Sequence, residues 1–184
     1  MHRLFVAIQP PGDILEEVCF YQQTLRVYYG GKAPIRWVPK EEMHVTLNFL
    51  GTRRYEDLLM IRECIEKQVV SLNSVLMSER LLALPHLQRP RVIAISFHES
   101  GGELCVLQAL LEESFAEMGI EPARHAWMPH ITLGRVGGAL KKPWPKLDFP
   151  RQDFSVRQLV LFESVLTPHG ATYTALDHYP RSHE

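Results

Sequence analysis

Three cysteines in 184 residues are too few, and too scattered at Cys19, Cys64 and Cys105, for a disulfide framework or a zinc knuckle. All three fall in helix-patterned stretches, so they are expected as reduced core residues. Charge of one sign is also missing. Twenty Lys and Arg against 21 Asp and Glu leave a formal charge of −1, which excludes a chain that grips long nucleic acid through a broadly basic surface. A local basic pocket stays open, and the stretch holding Lys141, Lys142, Lys146 and Arg151, punctuated by Pro143, Pro145 and Pro150, reads as an extended surface loop. No window approaches the roughly 20 apolar residues that span a bilayer, and the first residues lack a charged region followed by an apolar stretch. The expectation is a cytoplasmic protein with no membrane contact. Hydrophobic residues make up 46% of the chain, enough for a sizeable core and against disorder.

What is present is a repeat. His44-Val45-Thr46-Leu47 returns as His130-Ile131-Thr132-Leu133, 86 positions on. Upstream of each lies an apolar strand-like run, Leu4 to Ile8 and Arg91 to Ile95, and their Ala-Ile pairs stand 87 positions apart. The period is far longer than the roughly 20 to 50 residues of stacking repeats. The pattern predicts one domain with an internal duplication, about 1–84 and 91–184.

Between these landmarks the periodicities alternate. Ile14, Val18, Tyr21 and Leu25 predict a first helix ended by Gly30-Gly31; Leu58, Ile61, Ile65 and Val69 a second; Leu104, Leu107, Leu111, Phe115 and Met118 a third, stopped by Gly119. Ile35–Val38, Met43–Leu50 (closed by Gly51), Ser74–Leu84, Arg91–Phe97, His130–Val136, Phe154–Val165 and Ala171–His178 predict strands, with a turn at Pro168-His169-Gly170. The segment between Pro85 and Pro90 reads as a crossover between lobes. Runs of strands without a helix between each pair make the class α+β with mostly antiparallel sheet.

The tetrad has a chemical logic only in a strand. Alternation points His44 and Thr46 to one face and Val45 and Leu47 to the other, whereas on a helix positions i and i+2 diverge by about 200°. The hydroxyl can donate to a nonbridging phosphate oxygen while the imidazole exchanges a proton with a bridging oxygen or water. In-line displacement at phosphorus wants separate proton-transfer groups on opposite sides, which two tetrads would supply without a metal or other cofactor. A lone His-x-Thr is most often a hydrogen-bonded strand pair; the duplication is what favours a site. His125 lies near the second tetrad, while the other six histidines have no matching context.

On these tetrads, with Arg3 to Ile8, Trp37-Val38, Asn48 to Gly51, Pro90 to Ile95 and Pro129 with Gly134-Arg135, the chain resembles the two-histidine phosphoesterase superfamily. The resemblance is to its RNA 2′,3′-cyclic phosphodiesterase branch, also described as LigT-like or 2′-5′ RNA ligase. It covers nearly the whole chain. It implies a bilobal fold, two histidine strands facing across a central groove with helices outside, and hydrolysis of terminal 2′,3′-cyclic phosphates to 2′-phosphates. His44 would then be the proton donor to the departing 3′ oxygen and His130 the base on water, with Thr46 and Thr132 holding the phosphate. Phe5 and Arg135 match substrate-contacting positions, by base stacking and charge neutralisation. The implied partners are RNA 3′ ends carrying the cyclic phosphate, including tRNA fragments or nucleotides, met by a monomer. Strict alternation turns Arg135 away from His130, so it reaches the groove only if the strand bends at Gly134. Three alternatives remain open: another branch of the superfamily acting on ADP-ribose cyclic phosphate or 2′-5′ oligoadenylate, a non-catalytic RNA-end binding module, and a metallohydrolase.

Overall fold

A computed structural model describes residues 1–147, 151–167 and 170–181. Strand β1 (His2–Ile8) leads to helix α1 (Gly12–Tyr29), strand β2 (Ile35–Trp37), a single 3-10 turn at Lys40–Glu42, strand β3 (Val45–Arg53), helix α2 (Asp57–Gln68) and strand β4 (Ser74–Leu84). Strand β5 (Val92–Glu99), helix α3 (Glu103–Glu117), strand β6 (His130–Val136) and strands β7 (Asp153–Val156), β8 (Leu159–Thr167) and β9 (Gly170–Tyr179) complete it. The α+β class is as expected. Helix α1 ends where Gly30 takes φ 78°, a conformation without penalty for glycine. No described helix is long and apolar enough to cross a membrane.

The strands form one sheet in the order β7-β4-β5-β6-β3-β1-β8-β9, with β2 also on β6, and every pairing is antiparallel. Between β7 and β8 the chain has only Arg157 and Gln158, yet the two strands are six sheet neighbours apart, about 29 Å along a flat sheet at 4.8 Å per strand. Two residues cannot span that distance. The sheet must therefore curl until its two ends approach each other.

Several expectations are corrected. Pro85 to Arg91 is not a crossover: β4 and β5 are antiparallel neighbours with Leu84 opposite Val92, so the segment closes a hairpin, as so short a connection requires. The strands consequently sort differently from the sequence halves, because β4 pairs with β5 while β8 pairs with β1. Gly51 does not end β3; with φ 70° it carries the strand through a bulge at Leu50 to Arg53. The run from Phe154 breaks into β7 and β8. Cys105 is exposed rather than core, and all three thiols are free. Pro150 and the Pro168-His169 part of the predicted turn lie outside the described residues.

The core is built by alternation. Leu4, Val6 and Ile8 of β1, Ile93, Ile95 and Phe97 of β5, and Ile131 and Leu133 of β6 face the helices, meeting Ile14, Val18 and Leu25 of α1 and Leu104, Leu111 and Phe115 of α3. Gly134 is the tight point. A Cβ there would lie 2.8 Å from Ile35 Cγ2 and 3.0 Å from Trp37 Cε3, inside their van der Waals shells. Gly134→Ala is therefore expected to push β2 off β6 and destabilise by about 1–3 kcal/mol, read as a lower denaturant midpoint. Gly137→Ala, whose Cβ would meet nothing closer than Pro34 O at 3.8 Å, should stay within about 0.5 kcal/mol.

Candidate active site

The two tetrads meet. Val45 and Ile131, the second residues of the two copies, are cross-strand partners, and this is the sole registered pair between β3 and β6 among the described residues. Beyond it the strands part, and a cleft of about 480 Å³ opens on the face away from the core, with His44, Thr46, His130 and Thr132 all on its wall. That volume suits a nucleotide-sized ligand.

Each imidazole is held the same way. His44 Nδ1 lies 2.7 Å from the carbonyl of Glu42, and His130 Nδ1 lies 2.8 Å from the carbonyl of Met128, in both cases two residues upstream. A carbonyl only accepts, so Nδ1 must carry the proton in both rings, leaving Nε2 as the exchanging atom. His44 Nε2 sits 3.1 Å from Thr46 Oγ1. Beside each threonine the neighbouring strand places an alanine, Ala7 opposite Thr46 and Ala94 opposite Thr132. Small side chains at these points keep the cleft floor open.

The fourth residue of each tetrad is a bulge. Val6 pairs with Asn48 and Ala7 with Thr46, leaving Leu47 unpaired; Ile93 pairs with Gly134 and Ala94 with Thr132, leaving Leu133 unpaired. One extra residue resets the alternation. Arg135 thereby returns to the His130 face and lines the cleft, as the expected bend required, and Phe49 occupies the same place in the first copy.

The surroundings of the histidines differ. His44 packs against Phe5 at 4.8 Å and edge-on against Tyr173 at 5.1 Å between ring centroids. Burial, aided by the positive charges of Arg135 and His130 and opposed by the Glu42 carbonyl, lowers its pKa to about 4. Phe5 is 3% exposed, stacked on Phe162 at 5.2 Å. It lines the cleft, with the rings of His44, Tyr173 and Phe162 grouped around it at 4.8, 5.0 and 5.2 Å. The open aromatic in the cleft is Phe49, 52% exposed, with the Arg3 guanidinium 5.0 Å from its centroid. His125 is exposed and off the cleft wall.

Sequence reasoning missed Arg3, Arg36, Phe49 and Tyr173, which also line the cleft. For Arg36 a signal existed: in Ile35-Arg36-Trp37, alternation sets the arginine opposite two apolar neighbours. It missed Gln22 too, a buried residue of α1 whose Nε2 donates to the carbonyls of Val38 and Leu133 and so ties β6 and the residue after β2 to the helix. Among the described residues no three His, Cys, Asp or Glu side chains converge as a metal's ligand set.

Comparison with known proteins agrees with this geometry. The family described as LigT like Phosphoesterase matches over residues 97–173. An RNA 2′,3′-cyclic phosphodiesterase of Thermotoga maritima is 31% identical over 182 residues, covering 95% of this chain and 92% of its own. One of Archaeoglobus fulgidus is 30% identical, covering 95% and 97%. The crystal structure of E. coli LigT complexed with 3′-AMP superposes with a TM-score of 0.75 at 22% identity, covering 97% of each chain, a likeness of fold. Identity of this level over nearly the whole of both chains, on a sheet that brings two His-x-Thr pairs to one cleft, makes this chain a member of the LigT-like phosphoesterase family.

Proposed function

We propose that the chain hydrolyses the terminal 2′,3′-cyclic phosphate of RNA to a 2′-phosphate. The observation that carries this is the matched pair of imidazoles, each with Nδ1 pinned by a carbonyl, on the wall of one cleft. In the proposed reaction His130 Nε2 takes a proton from water as its oxygen bonds to phosphorus. The bond from phosphorus to O3′ breaks, and His44 Nε2 delivers a proton to the departing oxygen. Thr46 and Thr132 donate to the nonbridging oxygens, and Arg135 offsets their charge. Phe5 supports the His44 ring from behind, and Phe49 offers its open face to the terminal base. The names of the T. maritima and A. fulgidus relatives support the substrate class. The same reaction run as transesterification would join or cleave 2′-5′ linkages. Free thiols at Cys19, Cys64 and Cys105 suit a reducing compartment such as the cytoplasm, where the chain would act as a monomer. The matched halves are read as one duplicated unit in which β4 and β8 have changed places, each lying beside the first strand of the other half.

A donor must hold a proton, and His44 in the free protein does not near neutrality. Its pKa of about 4 lies below the ordinary 6.5, so the phosphate itself must restore the proton. An anion between His44 and Arg135 cancels the repulsion of the guanidinium and accepts a hydrogen bond from Nε2, both of which favour imidazolium.

Three outcomes test this reading. His44→Ala and His130→Ala should each lower turnover of a 2′,3′-cyclic-phosphate oligonucleotide by about 10²–10⁴, with the wild-type rate unchanged by chelator. Proton-detected titration should place His44 near pH 4 in the free protein and higher in inorganic phosphate. No rise would give the donor's role to His130. The third concerns stability. Because the folded pKa is depressed, the unfolded chain binds the His44 proton between pH 6.5 and 4 while the folded chain does not, so stability falls as pH drops through that window, by on the order of 3 kcal/mol. His44→Gln should flatten that part of the acid limb in denaturant titrations.

A further inference from the structure

Strand β2 is three residues long, and its centre sets Arg36 directly opposite Arg135 across the β2–β6 ladder. Ile35 and Trp37 lie against Gly134 on the core side, which turns Arg36 to the other face, and both guanidinium groups line the cleft. Like charges directly opposite each other weaken a sheet. No carboxylate cancels them at close range: among the described residues neither arginine has an ion-pair partner within 4.0 Å. The carboxylate that feels both is Glu42, which makes no ion pair with either and whose own pKa is raised, burial and the neighbouring Glu41 together outweighing the two arginines. Two unpaired, planar, permanently charged groups side by side at a cleft rim form a receptor for an oxyanion.

Arg135 serves the phosphate under attack, and Arg36 beside it is left for a second anion. On β5 the partner of Thr132 is Ala94 and that of Arg135 is Val92, two residues along, about 7 Å of strand. Arg36 faces Arg135 across the ladder, on the edge of β6 that β3 also borders, and so stands at the same level along the strand. The scissile phosphorus belongs between the two His-Thr pairs, so the two arginines stand about 7 Å along from it, roughly a nucleotide's length, where Arg135 can turn back to its edge and Arg36 is left for the next phosphate. On the opposite side of the cleft, Arg3 is already engaged over Phe49.

We propose that Arg36, seated beside Arg135, is a specificity-determining residue that binds the phosphodiester on the 5′ side of the terminal nucleotide. It selects an RNA chain end over a free cyclic mononucleotide, which has no second phosphate to offer. The proposal rests on the cyclic-phosphodiesterase reading for its substrate and adds the recognition of the chain behind the reacting end.

The test compares wild type with Arg36→Gln on 2′,3′-cyclic AMP and on a short oligoribonucleotide ending in a 2′,3′-cyclic phosphate. The expected result is a fall in kcat/KM of about tenfold or more for the oligonucleotide, as for loss of a charged hydrogen bond, and a change within about twofold for the mononucleotide. The salt dependence for the oligonucleotide should become shallower by about 0.7 in log-log slope, one phosphate contact. The variant's Tm should be unchanged or higher, since a repulsion has been removed. Equal losses on both substrates, no loss on either, a lowered Tm, or the same selective loss in Arg3→Gln instead would each overturn the proposal. Fluorescence anisotropy with a labelled oligonucleotide ending in a 2′-phosphate keeps the two readings apart. If the wild-type protein binds it but turns over neither cyclic phosphate, the activity reading fails, while Arg36 is still judged by whether its substitution raises the Kd.

Discussion

Two half-sheets, β7-β4-β5-β6 and β3-β1-β8-β9, are joined in register through one residue pair, Val45 with Ile131. That joint lies inside both tetrads. Because a strand's side chains alternate, fixing Val45 against Ile131 on the core side also fixes His44 and Thr46 relative to His130 and Thr132 on the other. The parting of β3 and β6 beyond the joint makes the cleft, and the groups left unpaired there are held by local bonds, such as Trp127 Nε1 to the Thr46 carbonyl at 2.8 Å and the Val38 amide to the Leu133 carbonyl at 2.9 Å. A longer ladder between β3 and β6 would close the cleft. A missing one would leave two half-sites.

Around this joint the backbone is nearly symmetric and the chemistry is not. Both histidines use a carbonyl two residues upstream, both tetrads end in a bulged leucine, and both threonines face an alanine. The positions that follow diverge: Phe49 stands where the other half has Arg135, and Phe5 stands where it has Val92. Aromatic rings enclose His44 and raise the free energy of its charged form, while guanidinium groups gather on the His130 side. Asymmetric proton transfer needs such a difference, since identical environments would give two groups of equal acidity.

The cleft is also where the near-zero net charge of the chain is locally broken. Arg3, Arg36 and Arg135 line it, with Glu42 as the one carboxylate on its wall among the described residues. Elsewhere three arginines are ion-paired among the described residues, Arg54 with Asp57, Arg62 with Asp177 at 2.7 Å and Arg181 with Glu66 at 3.3 Å. A neutral protein can thus present a focused positive potential to a phosphate without a broad affinity for nucleic acid.

Much of this was legible in the residues. The period of the apolar side chains determined β1, the three helices and the alternation that separates Thr46 from Val45, because burial of one face or stripe is a local property of the chain. Recurrence of the tetrad pointed to the two histidines for the same reason. Where sequence reasoning failed, the cause was non-local. Which strand neighbours which depends on how a curled sheet closes, so local pattern does not separate a hairpin from a crossover at Pro85 to Arg91, nor show the break between β7 and β8. The face of Arg135 depends on whether its partner strand matches it residue for residue, and Gly134 could only suggest the bulge that the register places at Leu133. The His44 pKa and the approach of Arg36 to Arg135 belong to packing between segments far apart in the chain. The sequence by itself determined which groups are available for chemistry; tertiary structure decided which of them share a cleft and how their charges differ there, because both desolvation and Coulomb interaction depend on distances that only the closed sheet sets.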